Sequence, residues 1–388
     1  MKKKIFFLLS SMNVGGVEKA FLGLLTAIPR ENYEIHLGLL QMKGGFLASI
    51  PKDVIIHHID CYDKHWKVIN DPPLPIIKNL FLRGKIIEAI IQFILYIHFQ
   101  LTQNRYYFYQ WILRKEPKLS EKFNVAIAFA GPSQAIDYYI CKKVNAPIKC
   151  GWIHFDVTKF GIDRRMTKQL YQNYQKIFVV SETGKDKFDQ LFPMFRDKTE
   201  VFYNIVSPEQ VRDLAATGPT FTDEFSGKRI LTVGRLSVEK GQDVAIQALK
   251  MLIDKGYNIK WYFVGDGKLR KECEQLAEQL NITDKVVFLG TQTNPYGYMR
   301  DCDIYMQPSR HEGFCITLAE ALCFSNPIVA TNFTGAEEQL KSRGNGVVSG
   351  MSADEIAEAI LNAITLNKEV EFNPNTQTGV HKLLSLIP

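Results

Sequence analysis

The chain has 388 residues, 46% hydrophobic and 23% charged, a balance that excludes an intrinsically disordered protein. This length suits two domains that each bury a core. The net charge of +6 arises from 47 basic and 41 acidic residues, an excess too small to predict nucleic-acid binding.

Cysteine usage and the apolar runs bear on the compartment. The seven cysteines are scattered, with no Cys-x-x-Cys pair, and an odd count without a framework favours a reducing cytoplasm. Three N-terminal lysines precede an apolar run over 5–9, which is shorter than the ~7 residues of a signal-peptide core. No stretch reaches the ~18 consecutive apolar residues of a membrane span. We therefore predict a cytoplasmic protein whose first apolar run is a strand.

The first half of the chain shows short apolar runs of the kind found in a buried sheet. Strands are predicted at residues 4–10, 34–41, 53–60, 125–130, 148–155, 176–181 and 199–206. The first strand leads into Gly15 and Gly16 and then a helix over 17–28, a geometry that lets backbone amides approach an anion or a sugar. The alternative is a turn that serves only helix packing. The pattern is not Gly-x-Gly-x-x-Gly, so no dinucleotide site is predicted.

Residues 76–122 differ from the rest of this half. They carry eight basic and three acidic residues, an excess of five in a chain whose total is +6. Four aromatic residues lie close to two arginines in this segment: Tyr106, Tyr107, Tyr109 and Trp111 beside Arg105 and Arg114. Basic and aromatic residues on amphipathic helices suit an anionic membrane surface. An equal alternative is a pair of helices whose apolar faces cover the N-terminal sheet.

The second half alternates regularly between strand and helix patterns after a Pro- and Gly-containing stretch at 207–227, which we interpret as a linker. Strands are predicted at 230–233, 259–264, 286–289, 304–307, 327–330 and 346–348, and helices at 243–254, 269–280, 296–300, 314–322 and 353–365. Such alternation predicts an α/β fold with a doubly wound parallel sheet.

Two cations and two carboxylates follow strand ends in this half. Arg235 and Lys240 come after strand 230–233, and an Arg fork with a Lys point charge suits a diphosphate. Glu312 lies in the loop after strand 304–307, and Glu320 lies eight residues on, in the next helix. At ~3.6 residues per turn, both carboxylates can face the crevice at the carboxyl end of the sheet. The alternative for these four residues is ordinary surface charge near helix starts.

Three motifs carry a resemblance to a known family. Glu312 and Glu320 form E-x7-E within PSRHEGFCITLAEAL, Gly234-Arg235-Leu236 precedes Lys240-Gly241, and Gly15-Gly16 follows the first strand. In this order and at these distances, the sequence resembles family 4 of the retaining glycosyltransferases, of the type used in surface or capsular polysaccharide assembly. The resemblance is strong over residues 229–366 and patchy before them.

The resemblance implies the GT-B fold, in which two Rossmann-like domains face each other and close to exclude water. We expect an acceptor domain over 1–206, a linker over 207–227 and a nucleotide-sugar domain over 228–370. A tail over 371–388 would return to the first domain.

The resemblance also implies roles for individual residues. Glu312 and His154 would act at the transferred sugar as catalytic residues. Glu320 would bind the ribose hydroxyls of the nucleotide. The remaining donor-binding residues would be Gly16, Arg235, Lys240, Gly313, Phe314, Cys315, Ile316 and Thr317, several of them through backbone amides.

The predicted function is transfer of a sugar, with retention of configuration, from a nucleoside diphosphate donor to a hydroxyl acceptor. We expect a UDP-sugar donor, a saccharide or lipid-linked acceptor, and peripheral contact with an anionic membrane through 76–122. Alternatives are a nucleotide-sugar epimerase on the same fold and an inactive nucleotide-sugar-binding homologue. Asp301-Cys302-Asp303 spells the D-x-D metal motif of another glycosyltransferase fold, but it precedes a strand rather than following one. No metal or other cofactor is therefore predicted.

Overall fold

The computed structural model describes residues 2–159, 161–341, 344–366 and 379–387. They form two compact units. The first unit contains the described residues of 1–180, 185–202 and 379–388, and the second contains those of 181–184 and 203–378.

The first unit is built on a seven-stranded parallel sheet whose strand order is β3-β2-β1-β4-β5-β6-β7. Its strands are β1 (Lys3–Leu9), β2 (Tyr33–Leu39), β3 (Ile55–His58), β4 (Val125–Gly131), β5 (Ile148–Ile153), β6 (Lys176–Val179) and β7 (Thr199–Val201). The middle of β1 is fully buried because helices cover both faces of a parallel sheet.

In the described residues, ten helices lie between β1 and the second sheet in the chain; the first nine belong to this unit, the ninth except for its first residues, and the tenth belongs to the second unit. They are α1 (Gly16–Ala27), α2 (Asp60–Lys64), α3 (Trp66–Asn70), α4 (Pro73–Leu82), α5 (Ile86–Thr102), α6 (Tyr106–Ile112), α7 (Gln134–Lys143), α8 (Arg164–Tyr171), α9 (Glu182–Leu191) and α10 (Pro208–Thr217). The predicted segment 76–122 is thus largely helical. Within the described residues of this segment, Tyr109 and Ile112 of α6 and Leu113 directly after it belong to the buried core.

The second unit has a six-stranded parallel sheet with the order β10-β9-β8-β11-β12-β13. Its strands are β8 (Lys228–Val233), β9 (Ile259–Val264), β10 (Val286–Gly290), β11 (Ile304–Gln307), β12 (Ile328–Thr331) and β13 (Gly346–Ser349). Its helices are α11 (Gln242–Asp254), α12 (Arg270–Gln279), α13 (Tyr296–Asp301), α14 (Ile316–Ala321), α15 (Ala336–Leu340) and α16 (Ala353–Ile364). The predicted fold class, two doubly wound parallel sheets, is confirmed.

The stretch predicted as a linker, 207–227, differs from that interpretation because it contains helix α10. Ser207 caps this helix by accepting a hydrogen bond from the Gln210 amide, and Pro208 occupies its first position. The same residues that suggested a loop are therefore helix-start signals. Arg300 donates to the Ala215 carbonyl oxygen at 2.8 Å, so α10 is folded onto the second unit.

Part of the predicted tail, 371–378, lies outside the described residues. The last helix, α17 (Val380–Leu384), belongs to the first unit, where Lys382 donates to the Val201 carbonyl oxygen at 2.9 Å. In the described part of the chain, no helix combines the length and the apolar character needed to cross a membrane.

Candidate active site

The second sheet reverses its strand order between β8 and β11, which lie side by side. The loop after β8 carries Gly234-Arg235-Leu236, and the loop after β11 carries the first glutamate of the E-x7-E pattern. Ligands of doubly wound sheets bind outside the carboxyl ends of the strands at such a switch point. The topology therefore brings the predicted motifs of the second unit to one place.

The centre of this site is an ion pair between Lys240 and Glu312. The Lys240 ammonium lies 2.5 Å from Glu312 Oε1, and only 21% and 11% of the two side chains are exposed. Burial by itself lowers the pKa of Lys240, but the facing carboxylate more than reverses this effect, so the pKa lies above its usual value. Lys240 is therefore a cation held at the position where a diphosphate is expected.

A chain of hydrogen bonds from β11 and the loop that follows it orients the Glu312 carboxylate. Ser309 donates to Glu312 Oε1 at 2.7 Å, and the Gln307 amide donates to Ser309 Oγ at 2.8 Å. Tyr305 and Thr317 donate in turn to Gln307 Oε1, at 2.8 and 3.3 Å. Because every step is satisfied, the carboxylate is fixed before any ligand binds.

A second interaction fastens the two loops to each other. The Arg310 guanidinium donates both of its terminal nitrogens to the Asp243 carboxylate, at 2.8 and 2.7 Å. The Arg310 amide also donates to the Glu239 carbonyl oxygen at 2.8 Å. Bidentate Arg–carboxylate pairs are geometrically specific, so this fork holds the Glu312 loop against the start of α11. No sequence motif indicates a role for Arg310 or Asp243.

Two glycines permit the close approach of these loops. Gly241 has φ +68°, and a Cβ there would lie 2.0 Å from the Pro308 carbonyl oxygen. Gly265 has φ +140°, and its Cβ would lie 2.0 Å from the Gly234 carbonyl oxygen. The glycine of the K-G motif is thus required by backbone packing.

Arg235 differs from Lys240 because its side chain is exposed. Its backbone is nevertheless fixed, since the buried Gln242 donates to the Arg235 carbonyl oxygen at 2.9 Å. The guanidinium therefore projects from a rigid loop beside the switch point.

The segment from Gly313 to Thr317 has a different start from the predicted helix. Helix α14 begins at Ile316, two residues later than expected, because Cys315 adopts a left-handed backbone conformation with φ +62°. Gly313, Phe314, Cys315 and Ile316 are buried, and Thr317 is half-buried. Burial raises the pKa of the Cys315 thiol well above its usual value, so Cys315 is a packing residue rather than a nucleophile.

Glu320 is buried in α14, with 2% of its surface exposed. Its Oε1 accepts a hydrogen bond from the Tyr296 hydroxyl at 2.9 Å. Burial, and then the neighbouring Glu320 carboxylate, raise the pKa of Tyr296, so the phenol stays a hydrogen-bond donor. No local sequence pattern links Tyr296 to Glu320, because Tyr296 lies 24 residues away on α13.

The two site residues predicted in the first half lie in the first unit. Gly16 is exposed at the first position of α1, and the Glu18 carboxylate lies beside the preceding glycine. A negative side chain therefore already faces this helix start, which favours a sugar hydroxyl over a phosphate there.

His154 follows β5 at the carboxyl end of the first sheet, with its ring stacked on Trp152 at an interplanar angle of 7°. Burial lowers the pKa of His154 to about 3, so the ring is neutral at physiological pH. Within the described residues, its buried Nε2 has no hydrogen-bond partner. His154 therefore cannot supply a positive charge at this pH.

The D-x-D residues lie at the opposite edge of the second sheet. Asp303 precedes β11 and accepts from the Arg229 amide at 3.0 Å, while Asp301 ends α13 and accepts from Arg300 Nε at 2.7 Å. Both carboxylates thus have structural partners far along β11 from Glu312, as predicted from sequence.

Within the described residues, one cluster has metal-ligating groups close enough to share an ion: His36, His57 and Glu121. The Lys4 ammonium bonds Glu121 and lies 3.2 Å from Glu34. Lys4 therefore already supplies the cation that these carboxylates face, and the cluster is explained as an internal ion-pair network.

The fold of the chain has counterparts among solved structures. The chain is similar to the Anabaena Alr3699/HepE crystal structure in complex with UDP-glucose, with a TM-score of 0.65, 16% identity, and coverage of 99% of this chain and 96% of that one. At this identity the likeness concerns the fold alone, and it confirms the GT-B architecture.

Residues 224–377 match the family model described as "Glycosyl transferases group 1". The matched stretch is therefore similar to the group 1 glycosyltransferases, in agreement with the resemblance seen in the sequence. The matched stretch contains the whole Arg235, Lys240, Glu312 and Glu320 arrangement.

Two curated relatives extend the comparison. The Campylobacter jejuni N-acetylgalactosamine-N,N'-diacetylbacillosaminyl-diphospho-undecaprenol 4-alpha-N-acetylgalactosaminyltransferase is 26% identical over 87% of this chain and 83% of that protein. Protein CapJ of Staphylococcus aureus is 36% identical over 52% of this chain and 53% of its own length. Matches with other relatives likewise span about half of those proteins, 44% and 52% in two cases.

Proposed function

We propose that this protein is a retaining glycosyltransferase that moves a sugar from a nucleoside diphosphate donor to a hydroxyl group of a saccharide or lipid-linked saccharide. The observation that carries the proposal is the Lys240–Glu312 ion pair at the switch point of the second sheet. Arg235 lies in the loop after β8, as Lys240 does, and Glu320 lies in helix α14, which follows the Glu312 loop. Cations for a diphosphate and carboxylates for hydroxyl groups are thus held together on one unit.

The roles of these residues follow from charge and position. When the bond between the sugar and the diphosphate breaks, negative charge grows on the leaving phosphate oxygen, and Lys240 and Arg235 stabilise it. Glu312 accepts hydrogen bonds from the donor sugar, whose anomeric carbon becomes electron-poor as the bond stretches. Glu320, held by Tyr296, has the carboxylate chemistry to accept ribose hydroxyls. Retention of configuration and a sugar-binding role for His154 rest on the family resemblance.

The donor that we propose is a UDP-sugar. The support is the similarity of the fold to a protein solved with UDP-glucose. The residues proposed above would contact the diphosphate and the ribose, so they do not by themselves select the base. A second relative, similar over 34% of this chain, is named as GDP-mannose-dependent, so GDP-sugars belong in any screen.

For the acceptor we propose a lipid-linked saccharide. The support is the name of the Campylobacter relative, which specifies a diphospho-undecaprenol acceptor and aligns with 87% of this chain. We propose that such a reaction contributes to the assembly of a surface polysaccharide.

The test is a thermal-shift screen of the purified chain against UDP-, GDP- and ADP-sugars, followed by mass spectrometry of reactions with saccharide acceptors. We expect UDP-sugars to raise the melting temperature most, and a glycosylated acceptor to form together with free UDP. A donor converted to its epimer without acceptor product would instead identify an epimerase. Binding without either product would indicate an inactive nucleotide-sugar-binding protein.

Transfer is expected to survive chelation. Lys240 and Arg235 already provide positive charge for the leaving diphosphate, and Asp301 and Asp303 are engaged at the other end of β11. Initial rates measured with and without EDTA should agree within about two-fold, a change that corresponds to well under ~1 kcal/mol of barrier. Loss of activity that manganese or magnesium restores would contradict this expectation.

A further inference from the structure

The α4–α5 hairpin of the first unit exposes an unusual amount of apolar surface. Its exposed large hydrophobic side chains are Leu74, Phe81, Leu82, Ile86, Ile87, Ile90, Phe93, Ile94, Ile97 and Leu101. The fully buried residues of α5 are only Ala89 and the polar Gln92. The helix therefore turns its isoleucines outward, the reverse of a helix that simply covers a sheet.

The exposed residues of α5 form one continuous stripe. Ile87, Ile90, Ile94, Ile97 and Leu101 recur at intervals of three and four residues, which places them on a single helix face. At the two ends of the stripe, Ile87 is 75% exposed and Leu101 is 78% exposed. With a rise of ~1.5 Å per residue, the stripe runs roughly 21 Å along the helix.

Charge is confined to the ends of this helix. Arg83 and Lys85 lie in the turn before α5, both exposed, and Arg105 follows its end. Between Glu88 and Arg105 the sequence contains no Asp, Glu, Lys or Arg. A helical protein partner is normally selected by charged residues beside the apolar seam, whereas lipid tails require none. Basic residues at the rim instead match the headgroups of anionic lipids.

We propose that the α4–α5 hairpin docks on an anionic membrane, with the apolar stripe of α5 lying in the plane of the interface and Arg83 and Lys85 on the phosphate groups. The helix binds along the surface, since it is not long and apolar enough to cross a bilayer. Docking would give the enzyme access to a lipid-linked acceptor, and this use of the surface rests on the proposed function. The docking itself does not depend on the proposed function.

The experiment is flotation of the full chain with vesicles of phosphatidylcholine alone or with added phosphatidylglycerol, at low and high salt. We expect flotation with the anionic vesicles, reduced but not abolished by high salt. The Ile87→Gln/Ile94→Gln double variant should lower the floated fraction at least ten-fold. The Arg83→Gln/Lys85→Gln variant should remove the preference for anionic lipid. Met194→Gln, which changes an exposed apolar residue elsewhere in the first unit, should bind as the parent protein does.

Each arm has a result that overturns the proposal. Absence of flotation with anionic vesicles at low salt, or equal flotation of the Ile87→Gln/Ile94→Gln variant, removes the membrane surface. Light scattering could instead show that the parent protein is a dimer and that the Ile87→Gln/Ile94→Gln variant is a monomer. If the dimer also fails to float with vesicles, the stripe is an interface between two copies of the chain. Circular dichroism and nucleotide titration of the same samples confirm folding and report on the second unit separately, so a failed docking result is distinguishable from a failed catalytic proposal.

Discussion

Replacing Glu312 by Gln should lower turnover at least ~100-fold, equivalent to about 2.7 kcal/mol of barrier, with little change in nucleoside diphosphate affinity. Gln keeps the size of the side chain and can still accept the Ser309 hydrogen bond, but it loses the negative charge beside Lys240. The loss falls on turnover because the carboxylate matters most when the sugar becomes electron-poor. Initial rates and calorimetry with UDP give the two quantities.

Two further variants make this result interpretable. Glu278→Gln makes the same chemical change at an exposed position of α12 and should leave turnover unaltered. Glu312→Asp keeps the charge but withdraws it by about one methylene, so partial activity would show that position as well as charge matters. Near-normal turnover of Glu312→Gln would remove this residue from the mechanism.

Many strands could be predicted because they are short, mainly apolar runs with clear boundaries. The predicted strands at 259–264 and 304–307 coincide with β9 and β11, the latter flanked by Asp303 and Pro308. The strand predicted at 199–206 extends beyond β7, which ends at Val201, although Ile205 and Val206 are buried. An apolar run reports burial, and burial alone does not reveal where hydrogen bonding to a neighbouring strand stops.

The sequence motifs singled out residues of the second unit that the structure brings together, but the contacts between these residues could not be predicted. The motifs indicated Lys240 and Glu312, yet their ion pair joins residues 72 positions apart and depends on β8 and β11 being neighbours. The Tyr296–Glu320 bond and the Arg310–Asp243 fork are equally long-range and left no local pattern. Similarly, the sequence indicated helices with apolar faces within 76–122, while only the structure shows that the apolar face of α5 is exposed.

Arg235→Ala and Lys240→Ala should both weaken nucleoside diphosphate binding, roughly 10- to 150-fold, because each removes a charge-assisted phosphate contact worth about 1.5 to 3 kcal/mol. The structure separates the two variants in stability. The Arg235 side chain is exposed, so its removal should leave the melting temperature nearly unchanged. Removal of Lys240 leaves the Glu312 carboxylate, 11% exposed, without its cation and should lower the melting temperature clearly. Lys255→Ala, at an exposed position after α11, is the matched control.

The Lys240→Ala/Glu312→Gln double variant tests the physical reason for that difference. If the instability of Lys240→Ala comes from an uncompensated buried carboxylate, neutralising Glu312 should restore part of the lost melting temperature. Nucleotide affinity should not recover, because the phosphate contact is still missing. Thermal unfolding and UDP calorimetry of the two single variants and the double variant measure both effects. Additive losses of stability in the double variant would mean that the ion pair does not stabilise the fold. Unchanged UDP affinity in both the Arg235→Ala and Lys240→Ala variants would show that the diphosphate does not bind at this position.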